Sequence, residues 1–428
     1  MKKLLSLFLA GGAMAALSAE SSPSSLTLRQ AEEIALRNHP RITAAELHAL
    51  AAQQNVRAVR SALFPSIFAD ATAVGATDPN TRVAAGGLNN PLILDRNAEG
   101  LTISQLITDF GRSSSLTASS KSKAMAENEQ AQATREQILL GVNSAYFSVL
   151  GARAVLSVAR QTVESRQYVL DQATTMASNK LKSELDVKFA AVNVTDAQLL
   201  LAKAQTDLSA ALANLSTVLG YREVHPFELA DLPMRPAQTN DEGSLVFLAL
   251  QHRPELLASR YQRDSAVQFA KAEQKLVLPT ISAVGAAGII PVRDSRLNDN
   301  YAAAGVNLSL PLFSGGLYNA RRHEAQYRAD EAEQNLRDQE NTIIRDVRVT
   351  RLNADYAFQR LSLTEQFLAN ARDALDLSQT KYKANLSSIV ELSQAQLNAT
   401  AAEIAQATAR YDYLLQRALL DFEIGELQ

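Results

Sequence analysis

The sequence predicts a mostly α-helical protein with a small β part, built from long coiled-coil helical hairpins and doubled along the chain. Two observations carry that fold class. The first is a heptad seam. Ile138, Val142, Ala145, Val149, Ala152, Leu156, Ala159 and Val163 recur at alternating steps of four and three, and the register runs on through Leu170, Ala173 and Ala177. Apolar residues at that period mark helices that wrap left-handed around neighbours. The second is a repeat. The stretch Gly111 to Gly220 returns 205 residues later as Gly316 to Gly425 without a gap. Leu170-Asp171 maps to Leu375-Asp376, Asn193 to Asn398 and Ala197 to Ala402. The seam is echoed by Ile343, Val347, Ala354, Ala357, Leu361, Leu368, Ala371 and Leu375, so the stretch reads as one unit duplicated.

Composition agrees with packed helices. Aromatics make up 6% of the 428 residues, and Trp and Cys are both absent. Alanine is abundant; it is the best helix former and lets helices approach closely. The net charge of −3 implies no phosphate-neutralising surface, and no nucleic-acid partner is expected. Without cysteine there are no disulfides, no thiolate chemistry and no lipid-modified N-terminal Cys.

Taken in order, residues 1–19 read as a signal peptide: Lys2 and Lys3, then an apolar run of 14 from Leu4 to Leu17, then small residues. The run is too short to span a bilayer, which takes ~20 residues; a buried N-terminal helix is the alternative. Its removal leaves 40 basic against 45 acidic residues, a mature charge of −5. No later run is read as reaching spanning length. A chain exported in this way enters a membrane only as a closed β-barrel, the other structure that satisfies backbone groups there.

The first copy is placed at 20–220. Leu26 to Asn38 reads as a short helix with Thr27 as N-cap. Pro40 ends it, and a second helix runs to about Leu63. Here the repeat offset is 214: Ala35-Leu36 and Pro40 map to Ala249-Leu250 and Pro254, and Leu63-Phe64-Pro65-Ser66-Ile67 maps to Val277-Leu278-Pro279-Thr280-Ile281. The first copy therefore holds nine extra residues between the two matched blocks, which belong in an exposed loop. Ile67, Ala69, Ala71 and Ala73 alternate with polar residues as a strand. Residues 75–99 read as loop, and Leu101 to Thr108 as a returning strand. In the second copy Pro279 to Ile290 and Tyr301 to Leu310 do the same around a turn at Arg293 to Asn300. Alternation over about ten residues suits a transmembrane barrel strand; an ordinary amphipathic hairpin gives the same pattern. Four strands cannot close a barrel wide enough for passage, so a pore needs several chains.

Two long helices follow, the second on Val187, Ala190, Val194, Ala197, Leu201, Ala204, Leu208, Ala211, Leu215 and Val218, joined at a polar tip, Ser178 to Ser183. A helix from Gly111 to Ser178 is on the order of 100 Å long at 1.5 Å per residue. Residues 221–243, with Pro226, Pro233 and Pro236, form an irregular connector, and 244–428 is the second copy.

In their order, these parts resemble the TolC-type outer-membrane efflux proteins. The resemblance rests on the leader, Ala-Leu-x-x-x-Pro after the first helix, Leu-Phe-Pro-Ser-Ile before the first strand, and glycine before each long helix (Phe110-Gly111, Ser314-Gly315-Gly316). It covers nearly all of the mature chain. It implies a homotrimer in the outer membrane of a diderm bacterium. Each copy would give four strands to a transmembrane β-barrel and its long helices to an α-barrel crossing the periplasm. The expected function is a passive exit duct of a tripartite efflux or type I secretion system, docked through a periplasmic adaptor to an inner-membrane transporter. The alternative is a soluble periplasmic coiled-coil scaffold.

The family's tip, Gly-Leu-x-x-x-x-Asp-Val, is matched by Lys180-Leu181 with Asp186-Val187 and by Asn385-Leu386 with Glu391-Leu392; both glycines are replaced. The resemblance makes Leu181, Ser183, Leu386 and Ser388 adaptor contacts. Glu391 and Gln394 take the positions of carboxylates that narrow the entrance, giving one ring of Glu391 groups. Tyr382 and Asp186 match a Tyr-to-Asp bond that ties the closed end, and Ser387 stands where some members carry an Arg. The alternative for Glu391 and Asp186 is ordinary solvated helix residues. No cofactor, metal site or catalytic constellation is expected. His39, His48, His225, His252 and His323 show no metal-ligand spacing, and neither a P-loop nor a Gly-x-Ser-x-Gly elbow is present.

Overall fold

A computed structural model describes residues 25–75, 95–237 and 241–427. The signal peptide expected at 1–19 lies outside them. Helix α1 (Leu28–Asn38) starts at Thr27, whose Oγ accepts the Gln30 N–H while Gln30 Oε1 accepts the Thr27 N–H at 2.9 Å. This reciprocal cap satisfies two otherwise orphaned donors. Helix α2 (Pro40–Arg60) follows at once. Its cap is His39, whose Nδ1 accepts the Arg41 N–H at 3.2 Å. Burial, and then the Arg41 charge, hold His39 below its usual pKa, which keeps Nδ1 an acceptor.

Strands β1 (Ser66–Val74) and β2 (Arg96–Thr108) form the first hairpin. β2 begins at Arg96, so the expected loop at 75–99 is shorter; residues 76–94 are not described. Next come α3 (Arg112–Ser178), α4 (Glu184–Val218), the irregular connector, α5 (Glu242–His252), α6 (Pro254–Gln274), β3 (Thr280–Arg293) and β4 (Asn300–Ser309). The last two helices are α7 (Leu317–Lys383) and α8 (Ile389–Glu423). The copies match helix for helix. α1 and α5 have 11 residues, α2 and α6 have 21, α3 and α7 have 67, and α4 and α8 have 35. The second copy's first helix starts two residues ahead of the boundary expected at 244.

All four strands make one antiparallel sheet in the order β1-β2-β3-β4, so the hairpins of the two copies lie side by side, joined between β2 and β3. Below it, Glu273 anchors both long helices. Its buried carboxylate meets Arg321 at 2.8 Å and Arg112 at 3.7 Å. Lys275 Nζ donates to the Gly111 carbonyl and to Ser115 Oγ, both at 3.0 Å.

The largest core cluster lies midway along α3. Ile138, Val142, Ala145 and Val149 pack with Leu215, Leu219, Leu28, Ala35 and Leu414. Each fully buried Val or Leu there contributes roughly 1.5–3 kcal/mol. Tyr146 Oη lies 2.8 Å from the Leu26 carbonyl and 2.6 Å from that of Ala230. It thereby ties α3 to the bridge where Leu26 pairs in parallel with Leu229 of the connector. This middle part of α3 corrects one expectation. The helix contains a stretch apolar and long enough, by composition, to cross a membrane, although half of it is buried inside the protein.

The seam is buried from Ile138 to Ala159 except at Ala152, which is half-buried. Beyond Ala159, Thr162 and Val169 are buried where Val163 and Leu170 were expected, and those two are only half-buried, while Ala173 is buried as expected. The seam position one heptad after Ala159 is a buried guanidinium. Arg166 is matched by Asp196 Oδ2 at 2.8 Å and the Asn193 carbonyl at 3.0 Å.

Candidate functional site

The sequence-predicted site residues all fall at the two hairpin tips. Each tip is a left-handed helix stop. Lys180 has φ 61° and Asn385 φ 62°. Leu181 N–H donates to the Met176 carbonyl at 2.9 Å and Lys180 N–H to that of Ala177 at 2.9 Å. In the second copy Leu386 donates to Lys381 at 2.8 Å and Asn385 to Tyr382 at 3.1 Å. This bond pair satisfies the last carbonyls of α3 and α7 and normally uses glycine. Both turns therefore keep one geometry although both glycines are replaced. Leu181 and Leu386, the residues following the stop, are exposed.

Ser183 and Ser388 cap the returning helices. Ser183 Oγ accepts the Asp186 N–H at 3.2 Å, and Ser388 Oγ accepts the Glu391 N–H at 3.2 Å. The equivalent acids then diverge. Asp186 folds back, its Oδ2 accepting the Ser183 N–H at 3.0 Å and Oγ–H at 2.8 Å. Glu391 closes no such box and stands exposed, in no ion pair with a described residue. Gln394, one turn on, is also exposed and donates to Asn398 Oδ1 at 3.1 Å.

Tyr382 is fully buried among Val169, Ile389 and Leu392. Here the structure differs from expectation. The Tyr382-to-Asp186 bond is not made, because the Asp186 carboxylate is committed to its cap and Tyr382 Oη is buried without a hydrogen-bond partner. Burial, then the nearby Asp186 charge, push the Tyr382 phenol above its usual pKa. What touches the ring instead is Lys182, whose Nζ lies 4.1 Å from the ring centroid. Sequence reasoning missed Lys182. No spacing rule links a tip residue to an aromatic two hundred positions away.

At the other end of the rods the sheet is exposed on both faces, and β1 and β4 have no further strand beside them among the described residues. Register sorts its residues. One face carries Ile67, Leu101, Ile103, Ala287, Val306 and Leu308. The opposite face carries Asp70, Thr102, Ser104, Ser282 and Asn307, with Thr102 Oγ donating to Asp70 at 2.8 Å. Tyr301 lies across Gly288 and Gly100 on this second face; a Cβ on Gly100 would clash with Tyr301 Oη. The second face is not uniformly polar, since Phe68, Leu106 and Val284 share it, and Glu99 and Gln105 lie on the first; strands of 9 to 14 residues have the length of a barrel wall.

The profile of the family described as "Outer membrane efflux protein" matches residues 33–221 and 245–426, one segment in each copy. The chain belongs to that family. Over its whole length it is 26% identical to the outer membrane protein TolC of Salmonella enteritidis, covering 87% of that protein. It is 24% identical to the alkaline protease secretion protein AprF of Pseudomonas aeruginosa, over 94% of this chain and 85% of that one. Its fold matches the crystal structure of the outer membrane protein VceC from Vibrio cholerae with a TM-score of 0.82 at 18% identity, over 93% and 96% of the two chains. This efflux family protein is an outer-membrane channel for efflux or secretion and not an enzyme. The soluble periplasmic scaffold is thereby set aside. The hairpins form one sheet whose exposed large side chains include Ile67, Phe68, Leu101, Ile103, Val306 and Leu308.

Proposed function

We propose that three copies close their sheets into one transmembrane barrel and their long helices into one tunnel, with the hairpin tips as the periplasmic entrance. The sheet carries this reading. Its two free edges would leave backbone groups unsatisfied in lipid, which only closure removes, and rods of 67 residues on the order of 100 Å long hang from it. In this assembly Glu391 and Gln394 face the narrow mouth. Three Glu391 carboxylates brought together favour cations over anions. Leu181, Ser183, Leu386 and Ser388 meet a periplasmic adaptor, which couples the duct to an inner-membrane transporter. The relatives include a channel named for protease secretion, so efflux and secretion systems both supply such partners.

Planar-bilayer recording tests the mouth. Glu391→Ala in the full chain lowers the cation preference of the open channel, and the parent ion selectivity in that variant would remove Glu391 from the constriction.

A further inference from the structure

The four joints between the sheet and the helices share one composition. Phe64, Phe110 and Phe313 are exposed at three of them, and Val277 and Leu278 at the fourth. On the helical side comes a band of cations. The two turns of α2, α3, α6 and α7 nearest the sheet hold Arg57, Arg60, Arg112, Lys271, Arg321 and Arg322 against a single carboxylate, Glu273. Glu273 is buried and spent on Arg321 and Arg112. Arg57, Arg60, Lys271 and Arg322 are exposed and make no ion pair with a described residue. The next carboxylate along α7, Glu324, is paired with Arg328.

Ordinary helix-end charge does not account for this band. A helix favours carboxylates at its N-terminus and cations at its C-terminus. Arg57 and Arg60, in the last turn of α2, obey that rule. Arg112, the first residue of α3, and Arg321 and Arg322 near the start of α7 do not. α3 and α7 begin here with no acidic residue in the first turn, whereas α4 and α8 begin at the tips with Glu184, Asp186 and Glu391. The sheet end of the rods therefore carries positive charge that no described carboxylate balances. The Arg60 guanidinium also lies 5.6 Å from the centroid of the exposed Phe64 ring. An apolar ring beside an unpaired cation suits the boundary between hydrocarbon and anionic headgroups.

We infer that these turns form a collar for anionic phospholipids: Arg57, Arg60, Lys271 and Arg322 bind headgroup phosphates of the periplasmic leaflet, while the exposed joint residues reach its hydrocarbon. This rests on the sheet being the part that crosses the bilayer. The dimensions agree. Two helical turns span about 11 Å, and the polar zone on each side of a bilayer is roughly 5–8 Å deep, so the band and the headgroups overlap.

The test is the lipid preference of the purified full chain in phosphatidylcholine vesicles, read with spin-labelled lipids, whose spectra separate lipid held at the protein from lipid free in the bilayer. One surface cation changes association with anionic lipid roughly fivefold. The parent prefers phosphatidylglycerol to phosphatidylcholine several-fold at low salt, and the preference shrinks at ~1 M salt. Arg57→Gln, Arg60→Gln, Lys271→Gln and Arg322→Gln together bring the ratio to within about twofold of unity. Arg57→Lys, Arg60→Lys and Arg322→Lys together keep it, since a lipid surface reads the charge. Lys121→Gln, Lys123→Gln, Arg135→Gln and Arg160→Gln together remove as many exposed cations further down α3 and leave the parent ratio.

No preference in the parent, or a parent-like preference in the first variant, overturns the collar. So does an oligomer that comes apart in detergent when those four charges are lost, which would assign them to a neighbouring chain. A chain that enters neither phosphatidylcholine nor phosphatidylglycerol vesicles fails the barrel reading itself; one that enters both and shows no preference fails the collar alone.

Discussion

Lys180 is an L-residue with a Cβ in the left-handed region, where glycine is at home. Its counterpart Asn385 has a short polar side chain that tolerates this backbone better. Lys180→Gly relieves the strain and stabilises the first tip by about 1 kcal/mol; a thermal midpoint equal to or below the parent's counts against it. Glu136 gives a second prediction. It is buried in α3, and its pKa rises to about 7: burial is the main cause, with the Gln132 hydrogen bond opposing and the Glu255 charge adding. The folded protein then holds a proton that the unfolded chain releases between about pH 4.5 and 7. Its contribution to stability is full below the unfolded value and fades as pH rises through 7. Glu423, also raised by burial, acts in the same direction. Glu136→Gln flattens the fall in thermal midpoint between about pH 5 and pH 8, and an unchanged slope would show that the site stays wet. At this scale the Thr27 cap was legible, because it acts over three residues; Ser183 and Ser388, read from the sequence as adaptor contacts, are N-caps as well. Arg166 and Lys182 were not legible. Arg166 is a charged residue at a seam position, buried because Asp196 and the Asn193 carbonyl on α4 match it, and Lys182 meets a ring of the other hairpin; neither leaves a local signature.

The elements were the most legible part. Two offsets in the sequence, 214 and 205, recur as pairs of helices of equal length, because heptad phase and proline punctuation are properties of a whole segment. The start of β2 was missed. Arg96, Asn97 and Glu99 look like loop residues, yet they pair with Val74, Ala73 and Ala71 on one side and with β3 on the other; partners, not propensity, decide a strand. The joint between β2 and α3 was missed too. Asp109 Oδ2 accepts the Ser113 N–H at 2.6 Å and Oδ1 the Gly111 N–H at 3.1 Å. Burial opposes its charge, but these bonds outweigh it and hold the carboxyl below its usual range. Asp109→Ala frees the first turn of α3 and costs about 1–2 kcal/mol; unchanged urea unfolding would mean that Lys275 and Glu273 hold the joint by themselves.

At the scale of the whole molecule, the sequence supplied the doubled plan, and the sheet shows why one chain is not enough. Two hairpins share one sheet whose outer strands, β1 and β4, end the hydrogen-bond ladder. Closure by three chains predicts outer-membrane recovery as a trimer that survives detergent unheated and falls to the single mature chain on boiling. A monomer in unheated gels and in light scattering would refute it. The lateral order of copies in that ring is not written in any one segment, since it depends on edges meeting between chains.

One further property follows from where the largest core cluster sits. Tyr146 lies about halfway down α3, some 32 residues from its end at Ser178, or roughly 50 Å at 1.5 Å per residue. With the middle held by the largest core cluster and the far end by the smaller one of Val169, Tyr382, Ile389 and Leu392, the hairpin is a lever with its pivot at the Tyr146 level. A swing of about 10° there would carry the tip roughly 9 Å sideways over that arm length, so a small angle at the core is a large displacement at the tip.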